Sequence, residues 1–274
     1  MSKYNALWEY VQKNEKESFR LTFEEVQKIA GIPIDHSFLK YKKELAKYGW
    51  QIDKISMKEQ TVLFRQTIQS GKEIYYIGGS PCSGKSSVAE ILSQKYGLYY
   101  FKLDDYLERY MQAGARKGHP ACGKAASMNA EQTWMREPLL QCREELDIYK
   151  EIFGFAAEDL GKIDWKGGII TEGAGYLPEL MKQFGIPGSR YISITPAKEF
   201  QILHYRKRDF VPWVLEGCSD KEAAFRNWMD RDALFAQEVQ RQCDKEKYVS
   251  VINDGTMGIE ELADLVAVHF LLEK

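Results

Sequence analysis

One short stretch, IYYIGGSPCSGKSSVAEIL at residues 74–92, constrains the fold more than any other part of the sequence. An apolar run is followed by a glycine-rich turn and then by an amphipathic segment, which predicts a strand, a tight loop and a helix. Residues 79–86, GSPCSGKS, fit the pattern G-x-x-x-x-G-K-[ST] at every fixed position. The predicted strand before this loop and the predicted helix after it are the context that the pattern requires.

A loop of this kind is suited to bind phosphate. Its glycines let the backbone curl so that N–H groups point at phosphate oxygens, and the helix that follows adds its positive end. We predict that Lys85 reaches the β and γ phosphates of a nucleotide and that Ser86 offers its hydroxyl to Mg²⁺. A dinucleotide-binding fold is less consistent with the sequence, because Ser80 occupies the second glycine position of its G-x-G-x-x-G pattern. The remaining alternative is a glycine loop that joins strand and helix for packing alone. The further phosphate contacts are predicted at Gly79, Ser80, Cys82, Ser83, Gly84 and Ser87.

Two more apolar runs end in acidic residues. The run GLYYFKLDDYL predicts a strand that ends on Asp104 and Asp105, and GGIITEGAG predicts one that ends on Glu172. The carboxyl ends of parallel strands face the ligand crevice, so these carboxylates are expected beside the phosphates. Phosphoryl transfer to an alcohol needs one carboxylate for the hydroxyl proton and another to help hold Mg²⁺.

We therefore predict catalytic roles for all three acids, with Asp104 and Glu172 also near the metal and Asp105 near the acceptor. Gly173 is expected to let the acceptor approach the backbone. The alternatives are ordinary structural roles, namely a helix N-cap at Asp104 or Asp105 and a turn acid at Glu172.

The interval between the last two predicted strands, SRYISIT and KYVSVIN, is rich in arginine and is predicted to form a lid. Arg208 and Arg231 are candidates to neutralise the charge on a transferred phosphoryl group. Ion pairs with nearby acids are the alternative for these arginines, and surface pairs contribute little. The acids in question are Asp209, Asp230 and Asp232.

The order of these segments resembles that of the nucleoside, nucleotide and small-metabolite kinases of the P-loop class. The order is the glycine loop, the strand ending in DDY, the strand ending in EG, the arginine-bearing segment and the strand running into NDGT. The resemblance covers about residues 73–274. It implies an α/β domain of the P-loop NTPase fold, with a five-stranded parallel sheet flanked by helices, ATP and Mg²⁺ as cofactors, and a mobile lid. It also implies nucleotide contacts from Arg206 and from an adenine-holding turn at Asp254, Gly255 and Thr256.

The implied function is an ATP- and Mg²⁺-dependent phosphotransferase that acts on a small hydroxyl- or phosphate-bearing acceptor, such as a nucleoside, nucleotide or sugar metabolite. The acceptor is expected between the second and third strands of this domain. Residues 111–127 lack hydrophobic periodicity, which predicts a long flexible loop over the site. After it, Trp134 is predicted to stack on the acceptor and Arg136 to clamp a phosphate or carboxylate, with a core tryptophan and a surface arginine as the alternative.

The first part of the chain, residues 1–68, is predicted to form a small α+β module of helix plus hairpin. Thr22 and Glu25 make a capping box at a helix start, and Gly31 ends that helix. A second helix is expected at about 37–48, and the alternation in WQIDKISMKEQTVLFR predicts the hairpin. The module resembles a small bacterial domain of uncharacterised function with a similar LTF-EE-h-IhG-P start and a GW before its hairpin. A polar linker, QTIQSGKE, leads to the second domain.

The net charge of −2 provides no global cationic field for nucleic acid or an anionic membrane. One interpretation of the lysines of the module, next to Tyr48 and Trp50, is a local nucleic-acid contact. A solvated helix face with buried aromatic residues is the favoured interpretation. An alternative function follows: a nucleotide-gated regulator whose N-terminal module binds nucleic acid or protein. The lysines are Lys40, Lys42, Lys43 and Lys47.

Apolar runs and cysteines bear on the compartment. No run is long enough to span a bilayer and the N-terminus lacks signal-peptide features, which predicts a soluble cytoplasmic protein without a membrane partner. The five scattered cysteines are expected to be reduced thiols. His119 and Cys122 in HPAC supply only two of the four ligands of a structural zinc, so no zinc site is predicted.

Overall fold

The structure is a computed structural model and describes residues 3–14, 16, 18–66 and 73–272. The chain forms two compact units. The first holds the described residues up to 66, with 157–163 and 182–186; the second holds 73–156, 164–181 and 187–272. The domain boundary that we predict falls at the linker, and residues 67–72 of that linker lie outside the described part of the chain.

The N-terminal module is an antiparallel three-stranded sheet with helices beside it. The hairpin and the helix after Thr22 are confirmed, whereas the helix predicted at about 37–48 divides into an α-helix (His36–Tyr41) and a 3-10 helix (Lys42–Tyr48). The sequence analysis missed α1 (Asn5–Gln12) and β1 (Ser18–Thr22). The strand β1 pairs with β3 (Thr61–Gln66), which pairs with β2 (Trp50–Ser56). Thr22 and Glu25 form the predicted capping box, with Thr22 N donating to Glu25 Oε2 at 2.7 Å. The elements are α1 (Asn5–Gln12), β1 (Ser18–Thr22), α2 (Phe23–Ala30), α3 (His36–Tyr41), a 3-10 helix (Lys42–Tyr48), β2 (Trp50–Ser56) and β3 (Thr61–Gln66).

Most aromatic residues of this module pack in its core. Trp50 is only 2% exposed, and its ring lies 5.2 Å from that of Phe19 in an edge-on arrangement. Trp50 therefore stabilises the module and does not present a nucleic-acid-binding surface. The side chains of Lys43 and Lys47 lie outside the described part of the structure.

The second part of the chain builds a parallel sheet with the order β5-β6-β4-β7-β8, which confirms the predicted α/β class with five parallel strands. Helices connect successive strands. The elements are β4 (Ile74–Gly78), α4 (Lys85–Tyr96), β5 (Tyr99–Lys102), α5 (Leu107–Arg116), α6 (Pro120–Ser127), α7 (Ala130–Trp134), α8 (Pro138–Lys162), β6 (Ile169–Glu172), α9 (Pro178–Gln183), β7 (Tyr191–Pro196), α10 (Lys198–Tyr205), α11 (Val211–Val214), α12 (Lys221–Glu246), β8 (Val249–Asn253) and α13 (Ile259–His269).

Helices cover both faces of this sheet. On one face, β-branched strand residues such as Ile77 and Ile192 pack against α4 and α13 in a fully apolar cluster. Alternate residues of β7 point the other way, where Gln240 of α12 donates a hydrogen bond to Thr195 Oγ1 at 2.8 Å. The sheet is thus buried on both sides, and its carboxyl edge is left for a site.

The prediction of a long loop over residues 111–127 is wrong, because this segment forms most of α5 and all of α6. Pro120 begins α6, and the Glu151 carboxylate accepts hydrogen bonds from Ala121 N at 3.0 Å and Cys122 N at 2.8 Å. Gly114 leaves room for Cys122, since a Cβ at Gly114 would lie 2.7 Å from its Sγ. Packing of the buried Tyr110 and Gly114 therefore holds α5. The Glu151 carboxylate caps the first turn of α6.

Two of the expectations about composition can be compared with the structure. Within the described ranges, no helix combines the length and the apolar character that crossing a membrane needs. All five cysteines are free thiols, four of them buried and Cys82 half-buried. The thiol at Cys82 lies in the glycine loop and therefore belongs to the candidate site.

Candidate functional site

The glycine loop (residues 79–86) joins β4 to α4 at the carboxyl edge of the sheet. Gly79 has φ 114°, and a Cβ there would lie 1.9 Å from the Ile194 carbonyl oxygen, so the loop requires glycine at this position. Cys82 and Gly84 also have positive φ, at 61° and 90°. Repeated left-handed residues are typical of backbone concavities that bind anions.

Lys85 is the first residue of α4 and is 6% exposed. Its Nζ donates to the Ser80 carbonyl oxygen at 2.6 Å and to Ser83 Oγ at 3.4 Å. Burial lowers the pKa of Lys85, and the Glu172 carboxylate opposes that shift. A desolvated ammonium group is thus held inside the loop, where it can exchange a carbonyl oxygen for an anion.

Glu172 is at the end of β6, beside β4, and is 1% exposed. Its Oε1 accepts hydrogen bonds from Ser86 Oγ and Tyr100 OH, both at 3.0 Å, while its buried Oε2 has no hydrogen-bond partner among the described residues. Burial raises the pKa of Glu172, and Lys85 opposes the rise. A buried carboxylate oxygen without a partner, next to a serine hydroxyl, provides the hard oxygen donors that Mg²⁺ prefers. Sequence reasoning missed Tyr100, which β5 contributes.

A cavity of about 360 Å³, the loop cleft, opens above the glycine loop. It contains the predicted Lys85, Glu172, Asp104 and Arg208, so the structure brings these side chains together. The residues that line it are Pro81, Cys82, Ser83, Gly84, Lys85, Ser86, Ser87, Lys102, Asp104, Leu107, Tyr149, Glu172, Ala174, Tyr205, Arg208 and Phe210.

The two aspartates differ in position. β5 ends at Lys102, two residues earlier than expected, and Asp104 and Asp105 lie in a 3-10 turn. Asp104 lines the loop cleft, whereas Asp105 has a 65% exposed side chain 3.8 Å from Lys102 Nζ and lies outside the set of described residues that line the cleft. The side-chain cap that we considered for α5 is also missing, since its N-cap is Tyr106, which makes no such bond.

Gly173 follows Glu172 directly, where room for the acceptor was expected. The space beside it is filled by Leu103, because a Cβ at Gly173 would lie 2.7 Å from Leu103 Cβ. Gly173 N donates to the Ile77 carbonyl oxygen at 3.1 Å. In this structure the glycine serves close packing between the β6 and β5 strand ends.

The predicted arginines occupy three different environments. Arg208 lines the loop cleft, with its guanidinium 5.8 Å from the ring centre of Phe210. Arg206 is exposed and lies 3.4 Å from Glu222, outside the described lining of that cleft. Arg231 is largely buried and forms the ion pair with Asp232 that we considered as the alternative, at 2.6 Å.

The turn after β8 is closed by its own side chains. Asp254 Oδ1 accepts hydrogen bonds from Thr256 N at 2.9 Å and Thr256 Oγ1 at 2.6 Å, and Gly255 also lies in this exposed turn. Asn253, which the sequence analysis did not single out as a loop contact, donates from Nδ2 to the Ser83 carbonyl oxygen at 3.0 Å. The end of β8 therefore braces the glycine loop, and an asparagine at a strand end before a DG turn is the signal that could have revealed this.

A second cavity, the neighbouring cavity, also has a volume of about 360 Å³ and shares Leu107 and Tyr149 with the loop cleft. Two of the four predicted acceptor residues, Trp134 and Arg136, line it, whereas Asp105 and Gly173 are not among its described lining residues. The Trp134 ring stacks on Trp228 at 4.5 Å. The other lining residues are Met111, Ala121, Lys124, Ala125, Met128, Thr133, Gln141, Glu144, Glu145, Ile148 and Arg231.

His119 and Cys122, which alone are too few for zinc, gain a third possible ligand from α8. The ligand atoms of these two residues and of Glu151 lie within 4.8 Å of one another. Both oxygens of Glu151 already accept hydrogen bonds from the first turn of α6. The cluster is therefore explained as a helix cap, and we assign it no metal.

A comparison with known protein families found no family that matches this chain, and a search of curated proteins found no significant match. The features that bear on function are therefore the side chains that the fold brings together. These are the buried lysine and glutamate of the loop cleft and the cavity that adjoins it.

Proposed function

We propose that this chain is an ATP- and Mg²⁺-dependent phosphotransferase of the P-loop kinase class, acting on a hydroxyl group of a small molecule. One observation carries the proposal. A glycine loop with a buried lysine and a buried acid opens into a second cavity, and the two share Leu107 and Tyr149. Two adjoining cavities can hold a phosphoryl donor and an acceptor with their reacting groups together.

In this proposal the chain's own residues divide the work. The glycine loop binds the ATP phosphates, and Lys85 gives up the Ser80 carbonyl oxygen to bind phosphate oxygens. Arg208, which lines the same cleft, neutralises phosphate charge. The acceptor oxygen bonds to the γ-phosphorus, the bond from that phosphorus to the β–γ bridging oxygen breaks, ADP leaves, and the hydroxyl proton passes to Asp104.

The residues that would hold Mg²⁺ are Ser86, through its hydroxyl, and Glu172, through the buried oxygen that has no described partner. When bound, Mg²⁺ neutralises charge on the β and γ phosphates. Tyr100 OH donates a hydrogen bond to Oε1, the other oxygen of Glu172, so the orientation of the carboxylate does not depend on the metal. This is the arrangement expected of a positioned, preorganised ligand.

The experiment is acceptor-dependent ADP formation by the full chain with ATP and Mg²⁺, across a panel of nucleosides, nucleotides and sugars. Lys85→Ala is expected to lower the rate by about 10³-fold, because one preorganised cation at the transferred phosphoryl group is removed. Lys95→Ala, on the same helix but exposed and paired with Asp264, is the control and should leave the rate unchanged. An unaltered rate in Lys85→Ala, or a rate of ADP formation that none of the acceptors increases, would contradict the proposal.

A further inference from the structure

In the neighbouring cavity, all of the lysine and arginine side chains among its described lining residues are already paired with carboxylates. Glu144 is shared by two of them, with Oε2 2.6 Å from Arg136 Nη1 and Oε1 2.5 Å from Lys124 Nζ. Arg231 Nη1 lies 2.5 Å from Glu145 Oε2. The cavity therefore offers compensated charge and not a free cationic clamp.

Burial strengthens this compensation. The side chains of Arg136 and Glu144 are 21% and 19% exposed, and those of Arg231 and Glu145 are 12% and 15% exposed. At such sites water screens charges less than at the surface, so separating a pair is costly. A phosphate dianion would have to displace Glu144 from Arg136 and would then face that carboxylate at close range.

The remaining lining suits an uncharged compound. Leu107, Met111, Met128 and Ile148 provide apolar walls around a volume that is within the usual range for small-ligand sites. Tyr149 OH donates to Glu145 Oε1 at 3.1 Å and stands where the cavity meets the loop cleft. Carboxylates there can accept hydrogen bonds from ligand hydroxyl groups without separating from their cations.

From these contacts we infer that the neighbouring cavity takes an uncharged, hydroxyl-bearing acceptor with an apolar or aromatic body, such as a nucleoside, and rejects its phosphorylated form. The inference rests on the proposed function and narrows its acceptor class. Arg136, which we predicted to clamp a phosphate or carboxylate of the acceptor, instead clamps Glu144 of this chain.

The test is calorimetric titration of the full chain, with Mg²⁺ and a non-hydrolysable ATP analogue, using five nucleosides and glucose, each against its monophosphate. At least one uncharged member should bind about 10-fold or more tightly than its monophosphate, because paired carboxylates repel the phosphate. Tighter binding of the monophosphates, or binding by none of the uncharged compounds, would overturn the inference.

A charge-removing variant sharpens the result. Glu144→Gln frees Arg136 and Lys124, so the dissociation constant of the monophosphate should fall by about 10-fold while that of the uncharged partner changes little. Asp147→Asn removes one charge from the exposed face of the same helix and is the control. The wild-type preference alone decides the inference if Glu144→Gln fails to fold.

The two proposals fail in different ways. Binding of an uncharged acceptor without ADP formation would keep this inference and overturn the proposed transfer. ADP formation that favours monophosphate acceptors would keep the transfer and overturn this inference.

Discussion

The loop cleft and the neighbouring cavity are of equal size and share Tyr149, yet their charged groups are in different environments. In the loop cleft, Lys85 bonds to oxygens of its own loop and Glu172 Oε2 has no partner among the described residues. In the neighbouring cavity, Arg136 and Arg231 are both paired with carboxylates. The difference teaches that a buried carboxylate oxygen left without a partner points to a charged ligand, whereas buried ion pairs that compensate each other point to an uncharged ligand.

The largest effect is expected for Glu172→Gln, which keeps the shape of the side chain and removes its charge. If Glu172 helps to hold Mg²⁺, ADP formation should fall by about 10³-fold, because the positioned ligand for the metal is weakened. The measurement is the rate as a function of Mg²⁺ concentration. Glu90→Gln, at an exposed position of α4, should behave as wild type; equal losses in both variants would remove the distinction between the cleft and the surface.

For the neighbouring cavity, Arg231→Met should lower the free energy of unfolding by about 3 kcal/mol, because two buried carboxylates lose their cation. Lys198→Met, which breaks an exposed pair with Asp230, should cost at most about 1 kcal/mol. Chemical denaturation of both variants measures the difference. If Arg231→Met left the free energy of unfolding unchanged, mutual compensation of charge would not be what stabilises the charged groups of this cavity.

The buried acid of the loop cleft, Glu172, should also affect the pH dependence of stability. Burial raises the pKa of Glu172 above its ordinary 4.5, so just above pH 4.5 the folded chain keeps a proton that the unfolded chain has released. The free energy of unfolding of the wild type, relative to Glu172→Gln, should therefore fall as the pH rises through that raised pKa and should level off below pH 4.5. Thermal melts across pH 4 to 8 measure this difference. If the stability of the wild type relative to Glu172→Gln instead increased with rising pH, the fold would stabilise Glu172 as a carboxylate.

The smallest effect separates two of the predicted arginines. Arg208→Ala should raise the KM for ATP by about 10-fold, since Arg208 lines the loop cleft, while Arg206→Ala should change it by less than about 2-fold. Steady-state kinetics on both variants provide the comparison. A reversed order would mean that Arg206 reaches the nucleotide in a conformation different from the one described.

What the sequence could predict was mostly local. The glycine loop and the capping box at Thr22 are encoded within a few adjacent residues, and the β6 acid follows a continuous apolar run. The second pairing of Arg231, with Glu145, could not be predicted, because Glu145 is 86 positions away and the contact depends on how α8 and α12 pack. The loop predicted at 111–127 wrongly included the second half of α5 and the whole of α6. The residues of α6 are mostly small and carry little apolar periodicity, although Pro120 at a first helical position was an available signal.

The most direct test of the account is the fate of the γ-phosphate. ATP labelled in its γ-phosphoryl group would be incubated with the full chain, Mg²⁺ and a mixture of nucleosides, and the products separated. We expect the label on a nucleoside hydroxyl, and we expect Lys85→Ala to abolish this transfer. Label found only in inorganic phosphate, or retained in ATP, would contradict this expectation.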